Sequence, residues 1–415
     1  LPRLLVLFLV LRVLQHAIER GLAALNHRYT NDPARRAEVA RLLGISDAEM
    51  DKAIAYARDR YRFGAWASTI ELLAALGFIV LGGLGAVDDF ARRFATGTTE
   101  IGVGLVFYGI LGLLTALFEL PFSIYSTFVI EEKHGFNRQT LGGFFLDRVK
   151  GLILAAALGG PILGAILGIM QWLGPSWWLW AWGAVTVFTL FTAWIYPTLL
   201  APLFNKFTPL PPGEPRSGIE ALAARLGFRT GGVFVMDASR RTAHGNAYFT
   251  GLFRQKRIVL FDTLLEAMQP PEVLAVLAHE LGHFKLHHVR WALLRSTLHT
   301  GLVFWLLSQA LPLSPFYRSF GLAHSPHAAL VVFGLWLGLL EFLLQPLQSA
   351  FLRRHEFAAD NFALRAGACA DDLSRALLKL REKSRLLPFS HPLYSRVYHS
   401  HPPLVERLAA LRSTS

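Results

Sequence analysis

The stretch "LAVLAHELGHFKLHH" brings His279, Glu280 and His283 within five residues of one another. On a helix, residues four apart share a face one turn apart, so the two imidazoles can reach a single metal ion. Glu280 sits beside the first histidine and can reach a water on that ion without binding it. Zinc lowers the pKa of such a water towards about 7, and a neighbouring carboxylate can take its proton and pass it to a leaving amine. This is the chemistry of peptide-bond hydrolysis. A catalytic zinc needs three protein ligands, and the motif supplies two.

One extended form of the motif, H-E-x-x-H-x-x-G-x-x-H, finds its third ligand nearby. It is excluded here, because Leu286 and Val289 stand where it requires Gly and His. His287 lies one turn further along the same stripe, but three ligands in line on one helix surround a tetrahedral ion poorly. His287 and His288 therefore read as solvated or headgroup-facing.

The elements that must position these residues are mostly apolar. The chain has 415 residues, 53% of them hydrophobic, and a mean hydropathy of +0.39. These values indicate a polytopic membrane protein. The net charge of +12 comes from Lys and Arg scattered between apolar runs. Without an aromatic-interleaved basic patch they point away from nucleic acid and towards positive cytoplasmic loops. Cys369 stands alone and can form neither an intrachain disulfide nor a cysteine metal cluster. Leu1 is followed at once by an apolar run, which reads as a missing N-terminus or a removed signal.

Six segments are long enough to cross the bilayer, near 65–87, 101–125, 151–172, 177–200, 291–311 and 328–351. A seventh is expected at 1–17, short and carrying Arg3 and Arg12. With seven spans, the loops 18–64, 126–150, 201–290 and 352–415 fall on one side and hold nearly all the Lys and Arg. That side is expected to be cytoplasmic. Residues 201–290 read as a small α/β insertion: a turn-rich linker "FTPLPPGEPRSG", a helical "IEALAARLGF", β-like runs at 233–237, 246–249 and 257–261, and a helix from near Pro271.

This topology offers a third ligand. No proline falls between Pro271 and Pro312, so the motif helix is expected to run straight into the span at 291. If it pairs with span 328–351 as an antiparallel hairpin, both extensions leave the membrane on one side. His283 lies eight residues before one span and Glu356 five after the other, each about 7–12 Å beyond the apolar boundary at 1.5 Å per residue. Glu356 is thus level with the motif. Asp360, one turn on, can hydrogen-bond a ligating histidine. His355 is an alternative ligand, about 100° round the helix from Glu356.

Further stretches carry a resemblance: "FVIEEKHGFNRQT" (128–140), "IYPTLLAPLFNKFTPLP" (195–211), "GNAYFTGLFRQKRIVLFDTLL" (245–265), "LAHELGH" (277–283), "RRHEFAADNFA" (353–363) and "YHSHPPLVERL" (398–408). In content and order they resemble the type I CAAX prenyl proteases, integral-membrane zinc metalloendopeptidases. The resemblance implies one Zn2+ per chain held by His279, His283 and Glu356, with Glu280 as general base. It implies that Asn246 and Ala247 lie on an edge strand holding extended substrate. It also implies that His401 stabilises the oxyanion and that Arg407 is an active-site arginine contacting substrate.

The fold it implies is mainly α: seven transmembrane helices enclosing a chamber, with a small α/β zinc-metalloprotease insertion on the cytoplasmic side. The expected units are 1–200 (transmembrane helices 1–5), 201–290 (the catalytic insertion), 291–351 (helices 6 and 7) and 352–415 (the C-terminal segment with the third ligand). Glu71, Glu119, Arg295, His299 and Glu341 fall inside apolar spans, where ionisable groups face a cavity or pair with one another. Expected partners are the lipid bilayer and a peptide or protein substrate, prenylated or simply hydrophobic. An Ala-, Leu- and Arg-rich composition suggests a bacterial inner membrane. A non-catalytic scaffold that binds blocked membrane substrates is the competing reading, and the presence of Glu280 beside the ligands argues against it. A transporter is disfavoured for want of paired broken helices.

Overall fold

The computed structural model describes residues 1–228, 231–244, 247–250 and 257–414. Five helices among them are long and apolar enough to cross a membrane: Asp47–Val80, Glu100–Glu131, Leu141–Trp172, Gly174–Leu203 and Pro326–Arg365. Little of their apolar surface is buried, and Ile153, Val187 and Leu343 are each more than 60% exposed. Such outward faces suit lipid, where apolar side chains need no protein cover. The other two expected crossings coincide with the helices Arg3–Thr30 and His288–Ala310. The first carries Arg12, Glu19 and Arg20 and the second Arg290, Arg295 and His299, which leaves both less apolar.

Local signals explain several boundaries. Ser46 and Glu49 form a reciprocal capping box that starts the helix Asp47–Val80. The span expected at 65–87 is displaced by this start. The helix stops at Val80 because Gly82 adopts the left-handed conformation, with φ of 79°, and a separate helix Gly83–Phe94 follows. At the other end of the chain, Ser325 caps a helix that runs unbroken through Pro346 to Arg365, well past the expected limit of 351.

The α/β segment holds four strands: β1 (Phe207–Pro209), β2 (Val233–Met236), β3 (Ala247–Thr250) and β4 (Arg257–Phe261). Their order is β1-β2-β4-β3, with β2 and β4 parallel and the outer pairs antiparallel. β1 was not expected, since its prolines read as linker. As an outer strand it tolerates Pro209, which has no N–H to give. Val233, Ile258 and Leu260 point into a core shared with the helices Glu214–Arg225 and Pro270–Lys285.

The helix Pro270–Lys285, here the HELGH helix, buries Val273, Val276, Leu277 and Leu281. Each buried aliphatic side chain contributes about 1.5–3 kcal/mol. Its start is fixed by Pro270 and by Glu272, whose Oε2 accepts from the Gln269 N–H at 2.8 Å and from Lys379 Nζ at 2.7 Å. It lies so close to the long helix Pro326–Arg365 that a Cβ on Gly282 would sit 3.2 Å from Ala359 Cα, Ala359 O and Phe362 Cβ. Two of those atoms are backbone and cannot swing aside. Gly282→Val should therefore force the helices apart, cost about 1–3 kcal/mol as an overpacked contact, and lower both the melting temperature and the metal content of the purified protein. Gly282→Ala should fall between it and the parent, as thermal melts and elemental analysis would show.

Candidate metal centre

Two helices meet at the site. The HELGH helix presents His279, Glu280 and His283, and the long helix presents Glu356 and Asp360. The potential ligand atoms of His279, His283 and Glu356 all lie within 4.8 Å of one another. His279 Nε2 and His283 Nε2 are 3.2 Å apart, and Glu356 carboxylate oxygens stand 3.6 and 3.3 Å from them respectively.

The far nitrogen of each imidazole is already engaged. His279 Nδ1 lies 2.8 Å from Asp360 Oδ1, and His283 Nδ1 lies 2.9 Å from His288 Nδ1. Both Nε2 atoms are thereby turned to one point. Glu356 Oε2 is buried there without a hydrogen-bond partner, and a buried carboxylate oxygen is costly to leave so. Two imidazole nitrogens and a carboxylate oxygen form the donor set that a hydrolytic zinc ion takes, so these residues fit such an ion.

Two expectations about the neighbouring histidines are corrected. The HELGH helix does not run straight on: it ends at Lys285, and His287 adopts a left-handed conformation with φ of 60° before the next helix begins at His288. That turn swings His288 back under His283. His288 is buried, not solvated, and its ring stacks on that of His355 at 3.9 Å. His355 thus braces His288 instead of facing the ligand cluster. His287 itself is exposed, as expected.

The C-terminal residues close the other side. The buried Arg407 donates to Asp360 through Nε (2.9 Å) and Nη2 (2.5 Å), and its Nη1 is 3.5 Å from Glu356 Oε2. Its guanidinium is committed to these carboxylates. His401 is 67% exposed, with Nε2 3.4 Å from Glu356 Oε1. Ala247 begins β3, an outer strand packed beside the HELGH helix. Asn246 lies outside the described residues. In the membrane region, His299 Nε2 lies 2.7 Å from Glu341 Oε1, and the Arg295 guanidinium lies over the Phe351 ring.

Burial pulls the His279 imidazolium down, but its bonds to Asp360 and Glu356 outweigh this and push its pKa up to about 9. Burial raises the Glu280 carboxyl above the ordinary carboxylate range; the two histidines and Arg407 oppose the shift and Glu356 adds to it.

Residues 31–206 match the family described as CAAX prenyl protease N-terminal, five membrane helices, and residues 210–415 match peptidase family M48. A CAAX prenyl protease 1 homolog of Arabidopsis thaliana is 44% identical over 71% of this chain and 69% of its own length. Its Homo sapiens counterpart is 35% identical over 89% and 87% respectively. The crystal structure of S. mikatae Ste24p superimposes with a TM-score of 0.92 at 34% identity, covering 98% of both chains. A site of this donor set, with Glu356 carried on a helix long and apolar enough to cross a membrane, is that of an integral-membrane metallopeptidase. With both regions matched in order, the chain belongs to peptidase family M48.

Two outcomes follow for the metal. Below about pH 9 a proton competes for His279, so metal affinity should rise about tenfold per pH unit up to that value and then level off; competition with a chelator measures this. Glu356→Ala should lose metal far more than His287→Ala, and elemental analysis that ranked them the other way would remove Glu356 from the ligand set.

Proposed function

We propose that His279, His283 and Glu356 hold a zinc ion with which the chain hydrolyses peptide bonds in prenylated CAAX-type or other hydrophobic, membrane-associated substrates. The observation that carries this reading is the buried Glu356 Oε2, which accepts no hydrogen bond and lies where the Nε2 atoms of His279 and His283 converge. When bound, zinc supplies Lewis acidity that brings the pKa of a coordinated water towards about 7.

The remaining work falls to side chains. Glu280, on the helical turn between the two histidines, takes the proton of the attacking water and returns it to the leaving amine. Its raised pKa makes it a better base than a solvated carboxylate. Asp360 orients His279 and keeps its Nε2 free, and Arg407 holds Asp360 in place. His401, exposed at the rim, donates an N–H to the oxygen that gains negative charge at the scissile carbonyl. The outer strand β3, which opens at Ala247, pairs with an extended substrate backbone, and Asn246 joins that contact as the resemblance implies.

The finer architecture belongs to the same proposal. Arg3–Thr30 and His288–Ala310 complete seven crossings around a chamber, with polar residues such as His299 and Glu341 turned inward. The concentration of Lys and Arg in 18–64, 126–150, 201–290 and 352–415 supports a cytoplasmic catalytic face, and the composition supports a bacterial inner membrane. The names of the curated relatives support a CAAX substrate.

The test uses purified parent protein and Glu280→Gln, each assayed on a farnesylated and an unmodified peptide. Glu280→Gln should keep its zinc and lose about 100-fold or more in kcat/KM. The base must be unprotonated, so activity should fall with acidity along a limb lying above pH 4.5, the ordinary glutamate value. A limb unchanged in Glu280→Gln would sink the assignment of the base. Zinc retained by a parent protein that cleaves neither peptide would favour the scaffold.

A further inference from the structure

A second cavity, of about 740 Å³, opens away from the metal ligands between the membrane helices and the sheet. Six cationic side chains line it: Arg138, Lys150, Lys206, Arg240, Arg241 and Arg257. Against them stand two carboxylates. Asp147 in the wall takes both prongs of Arg241, at 2.9 and 3.2 Å, and Asp237 pairs with Arg240 at 3.2 Å. Among the described residues, Lys150 and Arg257 donate only to carbonyl oxygens, of Leu203 at 3.1 Å and Pro197 at 3.1 Å. Arg138 and Lys206 are exposed, and among the described residues their side chains have no acidic partner. The cavity therefore carries an uncompensated positive charge.

Its position says what anion could reach it. The wall includes the start of the helix that opens at Leu141, whose first N–H groups add to the positive potential. It also includes Pro202 and Leu203 at the end of another membrane-crossing segment. Two crossings thus end at its floor, which puts the cavity at the level of lipid headgroups. Below it, Leu146, Val149 and Ile153 fall on one stripe of the helix that opens at Leu141, each more than 50% exposed, as is Leu199 on the neighbouring segment. Cations above and an outward aliphatic face below suit one amphiphile.

We propose that this cavity binds a phosphate group, presented by the headgroup of an anionic phospholipid whose acyl chains lie along Leu146, Val149 and Ile153. Arg138 and Lys206 would meet the phosphate, while Lys150 and Arg257 hold the helix end and the sheet in register around it. The paired Arg241 and Asp147 form the rigid back wall. The site is independent of the metal centre and would tie the α/β segment to the bilayer surface by a bound lipid.

Native mass spectrometry of the full chain in neutral detergent tests this, with titration of phosphatidylglycerol and phosphatidylcholine bearing the same acyl chains. The parent should retain one phosphatidylglycerol with a preference of about tenfold or more, as expected for two cations near an anionic headgroup. Arg138→Gln/Lys206→Gln should lose that preference while keeping the parent's melting temperature and its cleavage of an unmodified peptide. A separate arm adds millimolar inorganic phosphate. Displacement of the lipid in the parent supports the anion site and shows that free phosphate suffices; failure to displace, with the lipid preference intact, supports recognition of the whole lipid. Equal binding of the two lipids by the parent, or an unchanged preference in the folded double variant, would overturn the proposal.

Discussion

The site depends on the Asp360 carboxylate, which is 3% exposed and shared between His279 and Arg407. A charge buried this deeply is stable only when paired and fully hydrogen-bonded. Here Asp360 and its partners join three helices far apart in sequence: the HELGH helix, the long helix and the C-terminal helix Leu404–Thr414. Their mutual position is therefore set by one ionic knot. The same knot leaves His279 Nε2 unoccupied, because the ring can satisfy Asp360 only through Nδ1. Glu356 then adds its free oxygen to the point at which both Nε2 atoms are aimed.

Much of this arrangement was legible in the sequence. The spacing of His279 and His283 pointed to the ligand pair, and the apolar pattern located, though it did not delimit, five helices that the structure contains as long apolar elements. The reading that set Glu356 beside the motif used a hairpin of two continuous helices. Only one of them is continuous, and Glu356 still lies beside His283 because the Gly282–Ala359 contact fixes the two helices at the site itself. A contact between residues 77 apart leaves no local pattern. It is a tertiary fact that a lone glycine in a helix hints at without naming its partner.

What escaped the sequence did so for identifiable reasons. His287 is neither Gly nor Asn, so nothing marked it as a left-handed residue, although His enters that region more readily than most side chains. Without that turn, His288 could only be placed by its polarity, which pointed to water. β1 was hidden by prolines that normally argue against a strand and are allowed only at an edge. Arg407 looked like a surface charge, since no short-range signal tells a guanidinium that will be buried by a distant carboxylate from one that will not. Only its place in a longer stretch resembling a family brought it to the site.

The turn at His287 also separates two mechanical paths. Helices that cross a bilayer tilt when its thickness changes, and a rigid rod would carry that tilt into whatever lies at its end. The HELGH helix is not the end of such a rod: its last regular bond is from Leu286 N–H to Gly282 O, His287 N–H turns back to Phe284 O, and the next ladder starts with Trp291 N–H to His287 O. The long helix keeps its helical course between the exposed Leu343 and the buried Glu356, although Pro346 removes one rung of its ladder. A tilt of the long helix would therefore act on the carboxylate side of the site, while the two histidines rest on the α/β core beyond a slack hinge.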